Sequence, residues 1–334
     1  MKNSRNLMNR LLSFPFSMTR AWAGFNGHFL RSLAIGLAMV LIASNCLGAT
    51  EAPRTFASPE EAVTALANAV ESTNREAMHV IFGSSWTNLV NPDKVEARNE
   101  FNRFSKALNE SHHLVPQSNT NQTLEVGNAN WPFPVPIVQK DGRWYYDTDA
   151  GVEELSNRRI GEDELKTLKA VRAYVEAQRE YASLDHDGSG VLKYAQKLIS
   201  SPGKKDGLYW PPDLDGETSP LGPLMANAQE KGYEIKSKEA GAEPQPFQGY
   251  YYKILTRQGA HAPGGKYDYI INGNMIGGFA LVAWPAEYGR SGIMTFVVNQ
   301  NGRVYQKDLG PRTEAIVKGM KEYNPDKSWM VSSD

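Results

Sequence analysis

Two stretches of this chain bring together side chains that could do chemistry. The first is Asp185-His-Asp-Gly-Ser-Gly190 with the six residues after it. Set against a calcium-binding loop, Asp185, Asp187 and Ser189 take the first, third and fifth places, and Val191 offers a backbone carbonyl at the seventh. Gly190 stands where such a loop turns sharply, and Leu192 where a hydrophobe anchors it. Gln196 stands at the twelfth place, where a bidentate Glu is usual, and Lys193 adds a positive charge at the ninth. A hard cation wants this cluster of oxygens on a short arc, so calcium is the cofactor the pattern suggests. The alternative is a Gly-rich turn whose Asp side chains bond their own backbone. The second stretch is Arg-Gln-Gly-Ala-His-Ala-Pro-Gly-Gly at 257–265. Arg257, Gln258 and His261 place a cation, an amide and a base on one Gly-rich loop, where ligand binding tends to concentrate. Its alternative is an ordered surface loop.

Other catalytic signatures are missing. The six histidines, at 28, 79, 112, 113, 186 and 261, form no His-Glu-x-x-His and no zinc spacing. Tyr-Gly-Arg-Ser-Gly at 288–292 has the wrong spacing for a nucleophile elbow. Ser-Pro-Gly-Lys-Lys at 201–205 lacks the glycine and the Ser/Thr of a phosphate loop, and no dinucleotide fingerprint occurs. The pattern therefore points away from an enzyme.

The Asp185 loop must be carried by the amphipathic helix before it. From 163 to 182, Leu165, Leu168, Val171, Val175 and Ala182 recur at three- and four-residue steps, with Ala170, Tyr174, Ala177 and Tyr181 beside them. Beyond the loop, Leu-Tyr-Trp at 208–210 reads as a buried plug, and a short helix runs through Leu224, Ala228 and Lys231. Four strands follow, at 249–256, 278–284, 293–298 and 303–306, the last two joined by a Gly-containing turn. A helix through Ala315, Ile316 and Met320 closes the chain.

Upstream, Ser58-Pro-Glu-Glu61 is a helix start, with Ala62, Val63, Leu66 and Val70 as the buried face. A second helix spans 74–82. A third begins near Pro92 and carries Val95, Phe101, Phe104 and Leu108. The period then changes to that of strands, at 123–126 and 131–138. Three prolines in the latter confine it to an edge. Asp141-Gly142 is a two-residue hairpin leading into 143–148. The polar stretch 147–161 joins the halves, and Arg158 and Arg159 are expected to pair with acids there. These patterns predict an α+β fold in two domains, 52–157 and 158–334.

With 334 residues and a net charge of −1, the chain has length for two domains and no basic footprint for nucleic acid. Lys2, Arg5, Arg10, Arg20 and Arg31 precede an apolar run at 33–43, no acid occurs before Glu51, and Gly48 and Ala49 follow. This predicts a cleaved signal peptide over 1–49, a mature chain without a membrane span, and a periplasmic or secreted location. The single cysteine, Cys46, follows Ala43-Ser44-Asn45, a poor lipobox, so a lipid anchor is not expected.

Helices followed by a hairpin ending in Gly-Arg-Trp resemble the cone-shaped α+β fold of nuclear transport factor and polyketide cyclase relatives. The resemblance implies a cone offering Trp131, Phe133, Trp144 and Tyr146 without an acid–base pair, and these four are read as core. Trp-Pro-Phe-Pro at 131–134, Asp-Thr-Asp-Ala-Gly at 147–151, Arg-Arg-Ile-Gly at 158–161, Ala-Tyr-Val-Glu-Ala-Gln-Arg-Glu-Tyr-Ala at 173–182 and Ala-Pro-Gly-Gly at 262–265 resemble a secreted bacterial family of unknown function. The 163–182 helix with its Asp/Gly loop, and the segments 249–254, 279–285, 288–296 and 301–304, resemble type IV pilin or pseudopilin heads. A whole domain here stands where pilins carry their fibre-forming helix, which argues against pilus assembly. Together these readings describe an exported, non-catalytic binding or assembly factor of the cell envelope, with an envelope protein as partner. The alternative is an envelope hydrolase or small-ligand carrier with its site in the cone or the 257–265 loop.

Overall fold

The computed structural model describes residues 51–212, 216–235 and 245–332; the signal peptide read over 1–49, with Cys46, lies outside them. Helix α1 (Pro59–Glu71) starts as its sequence requires: Ser58 Oγ accepts from the Glu61 amide at 3.2 Å, and Glu61 Oε2 accepts from the Ala57 amide at 2.8 Å. Asn74 caps α2 (Arg75–Phe82), which stops at Gly83. After the short α3 (Trp86–Leu89), Asp93 caps α4 (Lys94–Glu110), accepting from the Val95 amide at 2.9 Å.

Five strands follow: β1 (His112–Ser118), β2 (Asn121–Val126), β3 (Trp131–Pro132), β4 (Ile137–Lys140) and β5 (Arg143–Tyr146). They form one antiparallel sheet in the order β1-β2-β4-β5, with β3 paired on β2. Asp141 and Gly142, at φ +52° and +76°, make the primed turn that the hairpin sequence demands. Of the 131–138 stretch, Trp131 and Pro132 pair on β2 as β3, while Ile137 and Val138, past the last proline, begin β4 between β2 and β5. The edge expected for the whole stretch holds only where prolines withhold their N–H. Phe56, Leu66, Phe82, Leu124, Ile137 and Tyr146 lie at the centre of this first core.

Helix α5 (Thr148–Tyr181) is 34 residues long and connects both halves. The polar stretch read as a packed connection is therefore helix, started by Asp147, whose Oδ1 accepts from the Ala150 amide at 3.2 Å. Its buried stripe runs through Arg159, Asp163, Thr167, Val171, Tyr174, Gln178 and Tyr181 at three- and four-residue steps. Leu165, expected on the apolar face, is 61% exposed because the stripe passes through Asp163 and Thr167 instead. Arg158 pairs with Glu154 at 2.6 Å and Arg159 with Glu100 at 3.4 Å, as their charges suggested.

The second half adds α6 (Gly222–Glu230), β6 (Tyr250–Leu255), β7 (Arg257–Gln258), β8 (Tyr267–Asp268), β9 (Ile270–Ile271), β10 (Asn274–Met275), β11 (Ala280–Pro285), β12 (Met294–Asn299), β13 (Tyr305–Asp308), α7 (Thr313–Gly319) and β14 (Met330–Val331). Its main sheet is antiparallel in the order β14-β13-β12-β11-β6, and the end of α5 packs on it through Tyr174 against Phe279. The 208–210 plug is buried as read. On α7 the inward residues are Thr313 and Val317, while Ile316 faces outward. No helix of the described residues is long and apolar enough to cross a membrane.

The two cores meet along a polar seam. Asp93 Oδ2 accepts from Tyr233 Oη at 2.7 Å and from the Gly249 amide at 3.4 Å. Asn99 Nδ2 donates to Lys231 O at 2.9 Å, and Arg290 Nη2 donates to Val90 O at 2.8 Å. Glu164 Oε1 accepts from the amides of Ile293 and Met294, both at 2.9 Å.

Candidate functional site

In the first half a cavity of about 930 Å³ opens between the helices and the 131–135 segment. Helix α1 contributes Leu66 and Val70, α2 Met78 and Phe82, α3 Trp86 and Leu89, and α4 Ala97, Phe101 and Phe104. Phe104 stacks on Phe133 at 4.8 Å and Phe82 on Trp86 at 5.7 Å, so the walls are rigid aromatic pairs. Helix α4 is held on its far side by the Asp93 and Asn99 hydrogen bonds to the second half.

Charge is unevenly spread around this space. Six cationic residues line it, Arg75, Lys94, Arg98, Arg103, Arg158 and Arg159, against two acids, Glu100 and Glu162. All but Arg159 and Glu100 are exposed at the rim. Arg159 is buried beside Asn91 and Glu100: Asn91 Nδ2 donates to Glu100 Oε1 at 2.6 Å, and Arg159 Nη2 donates to Glu100 Oε2 at 3.4 Å and to Leu89 O at 3.2 Å. The hydrogen bond from Lys166 holds the Glu162 carboxyl below its ordinary range. A cavity of this size with apolar walls and a few convergent polar groups has the dimensions of a small-ligand site. Its lining contains no His, Ser, Cys or Asp; Thr73 supplies a hydroxyl, Lys94 an amine, and Glu100 and Glu162 the carboxylates.

Of the four aromatics read as core, Trp144 and Tyr146 are buried. Trp131 is 41% exposed and carries the Arg158 guanidinium 5.8 Å above its ring. Phe133 is half-buried and forms cavity wall. Their 131–135 segment enters the core only at Pro134 and Val135, which are buried.

The Asp185 loop gathers Asp185, Asp187 and Ser189 as its spacing suggests, but onto itself. Asp185 Oδ2 accepts from the Gly190 amide at 2.7 Å, and Asp185 Oδ1 accepts from the amides of Asp187 and Ser189, both at 3.3 Å. The Lys193 ammonium binds Asp187 Oδ2 at 2.5 Å, Ser189 Oγ at 3.2 Å and Asn274 Oδ1 at 3.2 Å. That ammonium holds the Asp187 carboxyl well below the usual range. Gln196 turns away and donates to Gly273 O at 2.8 Å, Val191 is half-buried, and Leu192, expected as the anchor, is exposed. The anchor is instead His186, stacked on Tyr181 at 4.3 Å. Among the described residues, no group of three or more His, Cys, Asp or Glu side chains could hold a metal ion.

In the 257–265 loop, Gln258 is fully buried. Its Nε2 donates to Pro263 O at 2.8 Å and Gly265 O at 2.7 Å, and its Oε1 accepts from Tyr269 Oη at 3.0 Å. The amide read as a ligand group thus closes the loop from inside. Arg257 pairs with Asp268 at 3.7 Å, and His261 is exposed with its backbone amide on Asn324 Oδ1. The three side chains do not converge.

Residues 53–331 match the model of a protein family of unknown function, DUF2950. The chain belongs to the DUF2950 family. No curated protein and no solved structure matches it.

Arg159 was expected to meet an acid, but its partners in this DUF2950 chain, Asn91 and Glu100, were not singled out from the sequence. One signal was available. The four-residue step of the buried stripe continues upstream from Val171 through Thr167 and Asp163 to Arg159, and charged residue types at those positions concealed it.

Proposed function

We propose that this DUF2950 member is an exported, non-catalytic binding protein whose first-half cavity takes up a small apolar ligand. It would act in the periplasm or outside the cell, where its N-terminal signal sequence directs it. An envelope partner could dock on the pilin-head-like second half. The observation that carries the binding reading is the 930 Å³ aromatic cavity. A lining without His, Ser, Cys or Asp favours a carrier over the hydrolase alternative.

Fluorescence of the neutral dye N-phenyl-1-naphthylamine tests this. The dye should brighten on titration with the wild-type chain. Ala97 lines the cavity from α4, half-buried, so a larger side chain there fills the space without breaking the helix. Ala97→Trp should weaken dye binding by about tenfold or more while the thermal transition stays in place. Equal binding by both proteins would remove the cavity from the account.

A further inference from the structure

We propose that the ligand carries an anionic head, a carboxylate or phosphate, and that Arg159 receives it; this rests on the cavity being a binding site. Arg159 lines that cavity and is 5% exposed. A guanidinium remains charged and brings five N–H donors into whatever space it occupies. Here one nitrogen does all the bonding: Nη2 reaches Leu89 O at 3.2 Å and Glu100 Oε2 at 3.4 Å. Nε and Nη1 are buried with no hydrogen-bond partner. Glu100 does not serve them: its Oε2 meets Nη2 alone, and its Oε1 accepts from Asn91 at 2.6 Å. Buried donors are normally satisfied, and a buried charge is normally matched by more than one long contact.

An acceptor with several oxygens supplies what this guanidinium lacks, and carboxylate and phosphate share that chemistry. The tail attached to it would lie along Phe101, Phe104 and Met78, where only apolar surface is offered. The exposed Arg98, Arg103 and Arg158 at the rim give the entrance a positive field that draws such a head inward. Charge and apolar wall together describe a single-chain anionic amphiphile.

The test is displacement of N-phenyl-1-naphthylamine by dodecanoate, dodecyl phosphate and dodecanol. At least one anion should displace the dye at a concentration about tenfold or more below that of the alcohol, and the more effective anion identifies the head. Arg159→Met should abolish the preference and leave dodecanol displacement unchanged. Arg159→Gln, which keeps a donor toward Leu89 O, serves if the first variant does not fold. Alcohol and anions displacing equally from the wild type would overturn the anionic head. A preference surviving in the Arg159 variants would overturn the role of that residue. Failure of the dye to bind at all would instead remove the cavity reading, and this inference with it.

Discussion

Replacing Gly249 by alanine should cost the fold about 3 kcal/mol or more and lower the thermal midpoint by about 6–12 °C. Gly249 has a φ of +79°, and a Cβ there would stand 2.3 Å from Asp163 Oδ2 and 3.3 Å from Ser291 Cβ. The left-handed backbone alone costs an L-residue roughly 1–2 kcal/mol, and overpacking adds about 1–3. Neither neighbour can yield easily. Asp163 is buried on α5, and Ser291 is fully buried with its Oγ accepting from the Glu287 amide. The same substitution at Gly265, at φ +75° with nothing within 4 Å of its Cβ, isolates the backbone part. Calorimetric melts of the two variants separate the contributions. Equal midpoints would show that contact with Asp163 contributes nothing.

The second large effect lies on the other side of that contact. Burial pushes the Asp163 carboxyl up to about 8, against the opposing pull of Lys166, whose Nζ is 3.8 Å away. Glu162 and Glu96 push in the same direction as burial. Asp163 Oδ2 is buried with no hydrogen-bond partner. In the unfolded chain the group has an ordinary value near 3.9. Between about pH 4 and 8 the folded state therefore holds a proton that the unfolded state has lost. Stability contributed by this group is complete below about pH 4, falls as pH rises, and is gone above about pH 8. A displacement of that size corresponds to several kcal/mol, on the order of 5 at most. Asp163→Asn cannot ionise, so it should remove this slope. Urea unfolding at pH 5 and pH 9 should show the variant close to wild type at the lower pH and more stable by a few kcal/mol at the higher. Parallel pH profiles would mean that Asp163 is already ionised in the folded chain at neutral pH.

The elements of this fold were legible where local chemistry fixes them. Ser58 and Glu61 closed the first helix, Asp141-Gly142 turned the hairpin, and the strands of the second sheet fell where alternation and apolar runs put them. The length of α5 was not legible. Its upstream half presents Gly151, Arg159 and Asp163 to its neighbours, and these types read as polar surface when partners are unknown. Gly151 is there for closeness: a Cβ would come 2.5 Å from Val135 Cγ2. The cavity was hidden for a related reason. Sequence marks Phe101, Phe104 and Phe133 as apolar, but whether they meet each other or enclose space depends on how far α4 stands from α1. The hydrogen bonds of Tyr233 Oη to Asp93 and of Asn99 to Lys231 O hold that helix on its outer side. In the Asp185 and 257–265 loops the residue types were legible and their partners were not: Lys193 binds Asp187, and Gln258 donates to the loop carbonyls.

Where a ligand sits can be read directly from the methionine methyls. Met78 lines the first-half cavity and is nearly buried, whereas Met275 lies in the second core. In the chain labelled with carbon-13 at its methionine methyls, titration with N-phenyl-1-naphthylamine should shift the Met78 signal through the ring current of the bound dye. The Met275 signal should stay where it is, and Met78→Leu assigns the moving peak. Dye binding that leaves Met78 unmoved would contradict the central claim that this cavity is the binding site.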